Sequence, residues 1–282
     1  MKHAKDYLNS PRTIKLESTL SDVLKKIIDE KKSRLLVTEN EKITDIISEK
    51  DLGLFLFIDT SERKLDQIPV SEISKKIVSV DENTSLDKCA ETLLENGIGS
   101  LVVSSNEGLV GIITKSDLVR YFAESHRGHK TVGEYMSPYY AWQYSDSALS
   151  KIVLKMIDDK ISRIILRNKS EIPVGIITFR DLFNMSLKLG EEDDVLDNSD
   201  PLISVIFPRK GFVSDSGFGG STKASDVMSK NIVTVKYDDD LAKTGQLLLD
   251  KNINGAGVVS GNGHLIGIIS KTDIVKALAF LK

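Results

Sequence analysis

Four hydroxyl and acid pairs share one spacing and one setting: Ser48 with Asp51, Thr114 with Asp117, Thr178 with Asp181, and Ser270 with Asp273. Each pair lies in an octet in which an apolar run ends in the hydroxyl and the acid follows three residues later. The octets are Asp45-Ile46-Ile47-Ser48-Glu49-Lys50-Asp51-Leu52, Gly111-Ile112-Ile113-Thr114-Lys115-Ser116-Asp117-Leu118, Gly175-Ile176-Ile177-Thr178-Phe179-Arg180-Asp181-Leu182 and Gly267-Ile268-Ile269-Ser270-Lys271-Thr272-Asp273-Ile274. A carboxylate can accept hydrogen bonds from both hydroxyls of a vicinal diol, such as that of a ribose. Such charge-assisted bonds are worth about 1.5–3 kcal/mol each. A hydroxyl at a helix start lies among free backbone N–H groups, where a phosphate is also favoured. The same spacing is close to a capping box, which closes a helix with no ligand at all. Glu or Gln is the usual third partner of that box. Asp in all four places favours a ligand in at least one of them.

The elements that must hold these corners recur as well, which marks a repeat protein. Each repeat opens on a short extended piece: Arg12-Thr13-Ile14, Ile77-Val78-Ser79-Val80, Tyr140-Ala141-Trp142 and Ile232-Val233-Thr234-Val235. Turn residues follow, then a helix with apolar positions at 0, 3, 4, 7 and 8. These are Leu20, Val23, Leu24, Ile27 and Ile28; Leu86, Cys89, Ala90, Leu93 and Leu94; Leu149, Ile152, Val153, Met156 and Ile157; and Leu241, Thr244, Gly245, Leu248 and Leu249, the last weakened in its middle. A β-rich run comes next: Leu35-Leu36-Val37, Leu101-Val102-Val103, Ile164-Ile165-Leu166 and Gly257-Val258-Val259. The apolar part of the octet then forms a second strand, whose near-continuous apolar character predicts burial on both faces. The octet acid opens the last helix. The unit is β-α-β-β-α, and the fold class is mixed α/β (α+β).

The octet acids at 51, 117, 181 and 273 leave the last interval longer than the others. The excess, about 190–222, begins acidic and ends rich in Gly and Ser, which predicts a flexible insertion; Leu202 to Phe207 could form a short ordered piece within it. The polar stretch Glu124 to Lys130 is the expected seam between two halves, 1–127 and 128–282. The repeats span about 7–58, 65–124, 130–188 and 223–282.

The 282 residues carry a formal net charge of −3, which argues against nucleic acid as the primary partner. The hydrophobic fraction of 40% is enough for a real core. Cys89 is the only cysteine, so no disulfide can form within the chain, and a reducing cytoplasm is the expected setting. Leu52 to Ile58 is too short an apolar stretch to span a bilayer, and Met1 to Asp6 lacks the apolar core of a signal peptide. Cys89 sits at a core-facing helix position and reads as packing. His126 and His129 have a metal-like spacing but no acid or cysteine nearby, so a surface loop is expected and no metal. Gly217 to Lys223 lacks the Gly-Lys-Ser/Thr order of a phosphate loop, and no strand precedes it. No catalytic constellation can be placed, so the expectation is a protein that is not an enzyme.

Four octets in register with their helices resemble the cystathionine-β-synthase-type (CBS) repeat. The lead-ins Glu134-Tyr135-Met136-Ser137-Pro138 and Asp226-Val227-Met228-Ser229 add to the likeness. The resemblance covers almost the whole chain. It implies two pseudo-two-fold pairs, repeats one with two and three with four, each carrying two clefts of a kind that often binds adenine nucleotides. Carried over, Ser48, Lys50 and Asp51 would face Ile77, Val78 and Ser79, while Thr114, Ser116 and Asp117 would face Arg12, Thr13 and Ile14. Thr178, Arg180 and Asp181 would face Ile232, Val233 and Thr234, and Ser270, Thr272 and Asp273 would face Tyr140, Ala141 and Trp142. Arg34 and Arg163 stand where family members often place a phosphate-contacting Arg; repeats two and four hold Ser100 and Gly255 there. With Lys50 and Arg180 against Ser116 and Thr272, this assigns the more phosphorylated ligands to the Asp51 and Asp181 clefts. Solvated strand-edge residues are the plain alternative for Arg34 and Arg163.

Two positions depart from the pattern. Asp45 replaces Gly in the first octet. Trp142 stands where the other repeats have Ser or Thr, and it could either fill its cleft or stack a base. The implied function is a regulatory sensor of AMP, ADP or ATP with no catalytic cofactor, acting on an unidentified regulated protein. A sensor of an S-adenosylmethionine-type ligand and a ligand-free structural adaptor are the rivals. A disc-like monomer or a homodimer is implied.

Overall fold

A computed structural model describes residues 2–30, 32–59, 61, 63–182, 184–185 and 218–280. The expected flexible insertion at 190–222, with Leu202 to Phe207, falls outside these residues except for its last few. The four repeats take the expected order. Repeat one is β1 (Thr13–Lys15), α1 (Leu20–Glu30), β2 (Arg34–Glu39), β3 (Lys42–Ser48) and α2 (Glu49–Ile58); a two-residue strand β4 (Lys75–Lys76) then leads into the next repeat. Repeat two is β5 (Ser79–Asp81), α3 (Leu86–Glu95), β6 (Ser100–Ser105), β7 (Gly108–Thr114) and α4 (Lys115–Ser125). The short helix α5 (Val132–Tyr135) precedes repeat three: β8 (Trp142–Tyr144), α6 (Leu149–Asp158), β9 (Arg163–Arg167), β10 (Pro173–Thr178) and a helix α7 opening at 179–182. The short helices α8 (Phe218–Ser221) and α9 (Ala224–Val227) and strand β11 (Ser229–Lys230) introduce β12 (Thr234–Lys236), α10 (Leu241–Asp250), β13 (Gly255–Val259), β14 (Leu265–Ser270) and α11 (Lys271–Ala279).

In every repeat the first strand runs parallel to the second, and the second antiparallel to the third. The first strands begin one or two residues later than their composition suggests. The parallel register decides this: Thr13 pairs with Leu36 and Thr234 with Gly257, which points Ile14 and Val235 into the core. Burial of the octet strand on both faces holds only in repeat two, where Ile112 and Ile113 are both buried. Ile47, Ile177 and Ile269 are buried, whereas Ile46, Ile176 and Ile268 are half-covered. Ile28 departs too, at 40% exposed. At 100° per residue, the eighth position of a stripe lies at its edge, about 90° from its centre.

A fourth place in each sheet is filled by the lead-in of another repeat. Asn9 bridges Ile112, Lys75 pairs with Ile46, Ser137 bridges Ile268 and Ser229 pairs with Ile176. This close approach explains the octet glycines. A Cβ on Gly111 would lie 3.2 Å from Leu8 Cδ2 and 3.1 Å from the Asn9 carbonyl oxygen, and one on Gly175 would overlap the Met228 side chain. At Gly267 it would stand 2.7 Å from the Ser137 carbonyl oxygen, below any ordinary contact. Asp45 is admitted in repeat one because the lead-in place of Leu8, Met136 and Met228 is held there by Ser74, and the Asp45 carboxylate pairs with Lys76 at 2.9 Å. Gly267→Ala is therefore expected to lower stability by about 1–3 kcal/mol, as overpacking does. A lower denaturant midpoint at unchanged slope is the expected result; an unmoved midpoint would show that the lead-in yields freely.

The chain forms two compact units. One contains 1–11, 77–140 and 233–282, and the other 12–76 and 141–232. The first holds repeats two and four on one continuous core, in which α10 packs on α4 and α11 on α3 and α4. Gly245, in the weak middle of its stripe, brings α10 close: a Cβ there would lie 3.2 Å from Val119 Cγ1. In the second unit, repeat one packs around Leu24, Leu35 and Ile47, and repeat three around Val153, Leu166 and Ile177, with Leu54 of α2 against the latter core. Among the described residues no helix is long and apolar enough to cross a membrane.

Candidate functional site

The four corners are built alike. The octet strand delivers its hydroxyl residue in extended conformation, and the acid stands in the first turn of the helix that follows. Backbone N–H and side-chain hydroxyl both donate to the same carboxylate oxygen, Oδ2. Thr114 N and Oγ1 lie 2.9 and 2.6 Å from Asp117 Oδ2, Thr178 N and Oγ1 2.8 and 2.5 Å from Asp181 Oδ2, and Ser270 N and Oγ 2.9 and 2.6 Å from Asp273 Oδ2. Ser48 N lies 3.0 Å from Asp51 Oδ2, and its hydroxyl also donates there. The capping role is thus present in all four repeats, and it leaves the other oxygen, Oδ1, for a different partner.

That partner differs at every corner. The ammonium of Lys75 pairs with Asp51 Oδ1. Arg120 Nη1 lies 2.9 Å from Asp117 Oδ1, and Asn9 Nδ2 donates to Oδ2 of the same acid at 2.8 Å. The hydroxyl of Ser229 donates to Asp181 Oδ1 at 2.6 Å, and Lys276 Nζ lies 3.4 Å from Asp273 Oδ1. The acids divide by access. Asp117 and Asp273 are buried, whereas Asp51 and Asp181 are partly exposed.

Strand register sets Arg34 directly across from Ser48 and Arg163 across from Thr178; Ser100 and Gly255 take the same places opposite Thr114 and Ser270. Arg180 Nε lies 3.6 Å from Glu49 Oε1, a contact between repeats three and one. Lys50 is exposed. Ser116 and Thr272 are less neutral in their setting than in their own chemistry. Lys271 Nζ donates to Ser116 Oγ, and Lys115 Nζ to Thr272 Oγ1, each at 3.1 Å. Each buried corner thus receives a cation from the repeat packed against it. Lys115 and Lys271 are the residues missed from sequence. Their signal was the octet's fifth position, Lys in repeats two and four against Glu49 and Phe179 in one and three.

The strand residues expected opposite the corners are distributed between the units. Ile77, Val78, Ser79, Val233 and Thr234 lie in the first, and Thr13, Ala141 and Ile232 in the second. Their part in a cleft rests on the resemblance. Trp142, in β8, is covered on one face by the Arg167 guanidinium, 4.7 Å from the ring centroid, and meets Tyr144 edge-on. Cys89 is fully buried and its thiol is pushed up to about 12 by burial, so it packs and does not react. His126 is not a plain loop residue. Its ring stacks on Phe122 at 5.0 Å, and burial holds its pKa below the usual value. Among the described residues no three metal-ligating side chains converge.

The CBS domain profile matches residues 4–54, 70–124, 132–188 and 224–280, one segment per corner. The uncharacterized protein MJ1225 of Methanocaldococcus jannaschii is 23% identical over 282 residues, 95% of each chain. Uncharacterized protein MJ1426 of the same organism is 29% identical over 141 residues, 48% of this chain and 83% of its own. The crystal structure of MJ1225 covers 99% of this chain and 100% of its own at a TM-score of 0.79 and 21% identity. That of a conserved protein from Pyrococcus horikoshii covers 98% and 100% at 0.66 and 20%. These likenesses establish the shared fold. With four matched segments in step with four identically built corners, the chain belongs to the CBS domain family.

Proposed function

We propose that the protein is a regulatory sensor that binds adenine nucleotides, AMP, ADP or ATP, at its octet corners and performs no catalysis. The observation that carries this reading is the common state of the four acids: one oxygen closes the corner, and the other accepts from a side chain that a ligand hydroxyl could replace. A diol donates two hydrogen bonds, and the adjoining helix start favours a phosphate. Lys50, Arg34, Arg163 and Arg180, with Lys115 and Lys271, supply the cations a phosphorylated ligand needs. By the resemblance alone, Ile77, Val78, Ser79, Thr13, Ala141, Ile232, Val233 and Thr234 would lie beside the purine. Exchange of lead-ins supports pairing repeat one with two and three with four, within 1–127 and 128–282. MJ1225 is described as a candidate archaeal homolog of g-AMPK, which agrees with a regulatory role. Regulation follows if the nucleotide binds two arrangements of the protein, or of protein and partner, with different affinity.

A thermal-shift panel tests this. At a hundredfold excess over its dissociation constant, a ligand stabilises by about 2.7 kcal/mol. AMP, ADP or ATP is expected to raise the melting temperature. A rise with S-adenosylmethionine alone would replace the reading by the rival ligand, and no rise with any of them would leave the adaptor.

A further inference from the structure

The first corner differs from the other three in what its lead-in brings. The place that pairs with the second octet residue holds Asn9, Lys75, Ser137 and Ser229. Lys75 alone among them is charged, and its ammonium is paired with Asp51 Oδ1. Next to it, Lys76 pairs with Asp45 at 2.9 Å. Elsewhere Leu8, Met136 or Met228 packs over a glycine. Repeat one substitutes two ion pairs for that apolar clasp. The Lys75 side chain is 65% exposed and that of Asp51 13%, so the cation lies on the solvent side of a largely covered acid.

We propose that Lys75 holds down diol binding at the Asp51 corner, as a tethered cation that a diol must displace in order to bind. The proposal rests on the nucleotide reading above. The remaining oxygen of Asp51 already accepts from an ammonium, so a neutral hydroxyl exchanges a charge-assisted bond for another bond to the same atom. At Asp181 the same oxygen accepts, among the described residues, from the Ser229 hydroxyl, which can rotate away and accept as well as donate. The Asp51 corner is therefore the weaker sugar site of the two partly exposed ones, and its affinity is lowered by a cation that the chain itself supplies.

The test is calorimetric titration of AMP and of ATP into the full chain, as wild type, Lys75→Ser, Lys75→Arg, Asp51→Asn and Lys75→Ser/Asp51→Asn. Serine is the residue already present at 137 and 229. Exposed ion pairs are weak, so removing the competitor is expected to tighten one site by up to about fivefold. Lys75→Arg, which keeps the cation, does not share the gain, and the gain disappears when Asp51 is also changed. If a nucleotide binds wild type and Lys75→Ser binds it equally or more weakly, the inference is overturned while the nucleotide reading stands. A gain that persists in the double variant overturns it too, because the effect then bypasses Asp51. Binding of neither nucleotide to any of these proteins overturns both. Lys75 is exposed, and circular dichroism verifies that each variant is folded.

Discussion

Asp181→Ala is expected to weaken one nucleotide-binding event about a hundredfold, equivalent to about 2.7 kcal/mol. Two hydrogen bonds from a diol to a carboxylate, at about 1.5–3 kcal/mol each, would supply that much and more. Asp181 is the corner at which the effect should be clearest. It is partly exposed, and among the described residues its outer oxygen accepts from the neutral Ser229 hydroxyl. The same acid accepts from Thr178 N and Oγ1 through its inner oxygen. Its loss therefore also removes a cap, at about 0.5–2 kcal/mol of stability.

Those two consequences separate the functional role from the structural one. If the aspartate only closes the corner, Asp181→Ala lowers the melting temperature and leaves nucleotide affinity alone. If it also grips a sugar, affinity falls as well. Asp181→Asn sharpens the distinction, because an amide oxygen can still accept from the Thr178 N–H while the negative charge is gone. It should retain most of the stability and still lose most of the affinity. Calorimetry read beside thermal melting resolves the two, and unchanged affinity in both variants would remove Asp181 from the site.

The corners were legible because their physics is local. A hydroxyl, two residues and an acid define a cap whatever surrounds it, and the Oδ2 geometry repeats from Asp51 to Asp273. The helix stripes were legible for the same reason, down to Leu20, Val23, Leu24 and Ile27, with Ile28 lost only at the stripe's edge. What could not be read was which stripe meets which. Leu93 and Leu248 are chemically interchangeable, so nothing in the pattern joins repeat two to repeat four. The fourth place in each sheet was hidden as well. Lys75-Lys76 has no apolar alternation, and it is a strand only because its backbone completes β3. The cations at the buried corners were missed because Lys115 and Lys271 serve not their own octet but each other's, through Thr272 and Ser116. Asp45, an anomaly in sequence, is explained by Lys76, 31 residues further along the chain and brought beside it by a strand pairing that no local window contains.

Phe122→Ala should lower stability by about 3–5 kcal/mol, the range for emptying a fully buried aromatic site. Phe122 is 0% exposed, lies in α4, and belongs to the single core that joins repeats two and four. A loss of that size is a large share of the 5–15 kcal/mol typical of a whole domain. Because the core is continuous, the damage is not confined to the Asp117 corner. Helix α11, which carries Asp273 in its first turn, packs on α4 and shares the same cluster through Ile274, Val275 and Leu278. Hydrogen exchange should therefore show α4 and α11 losing protection together, as one cooperative element. If α4 alone were loosened, the two repeats would be independent, and a ligand held at one corner could not stabilise the other. Loss of protection in both helices is what a sensor requires of this unit: a nucleotide bound at either acid would then act on the shared core, and through it on the second corner.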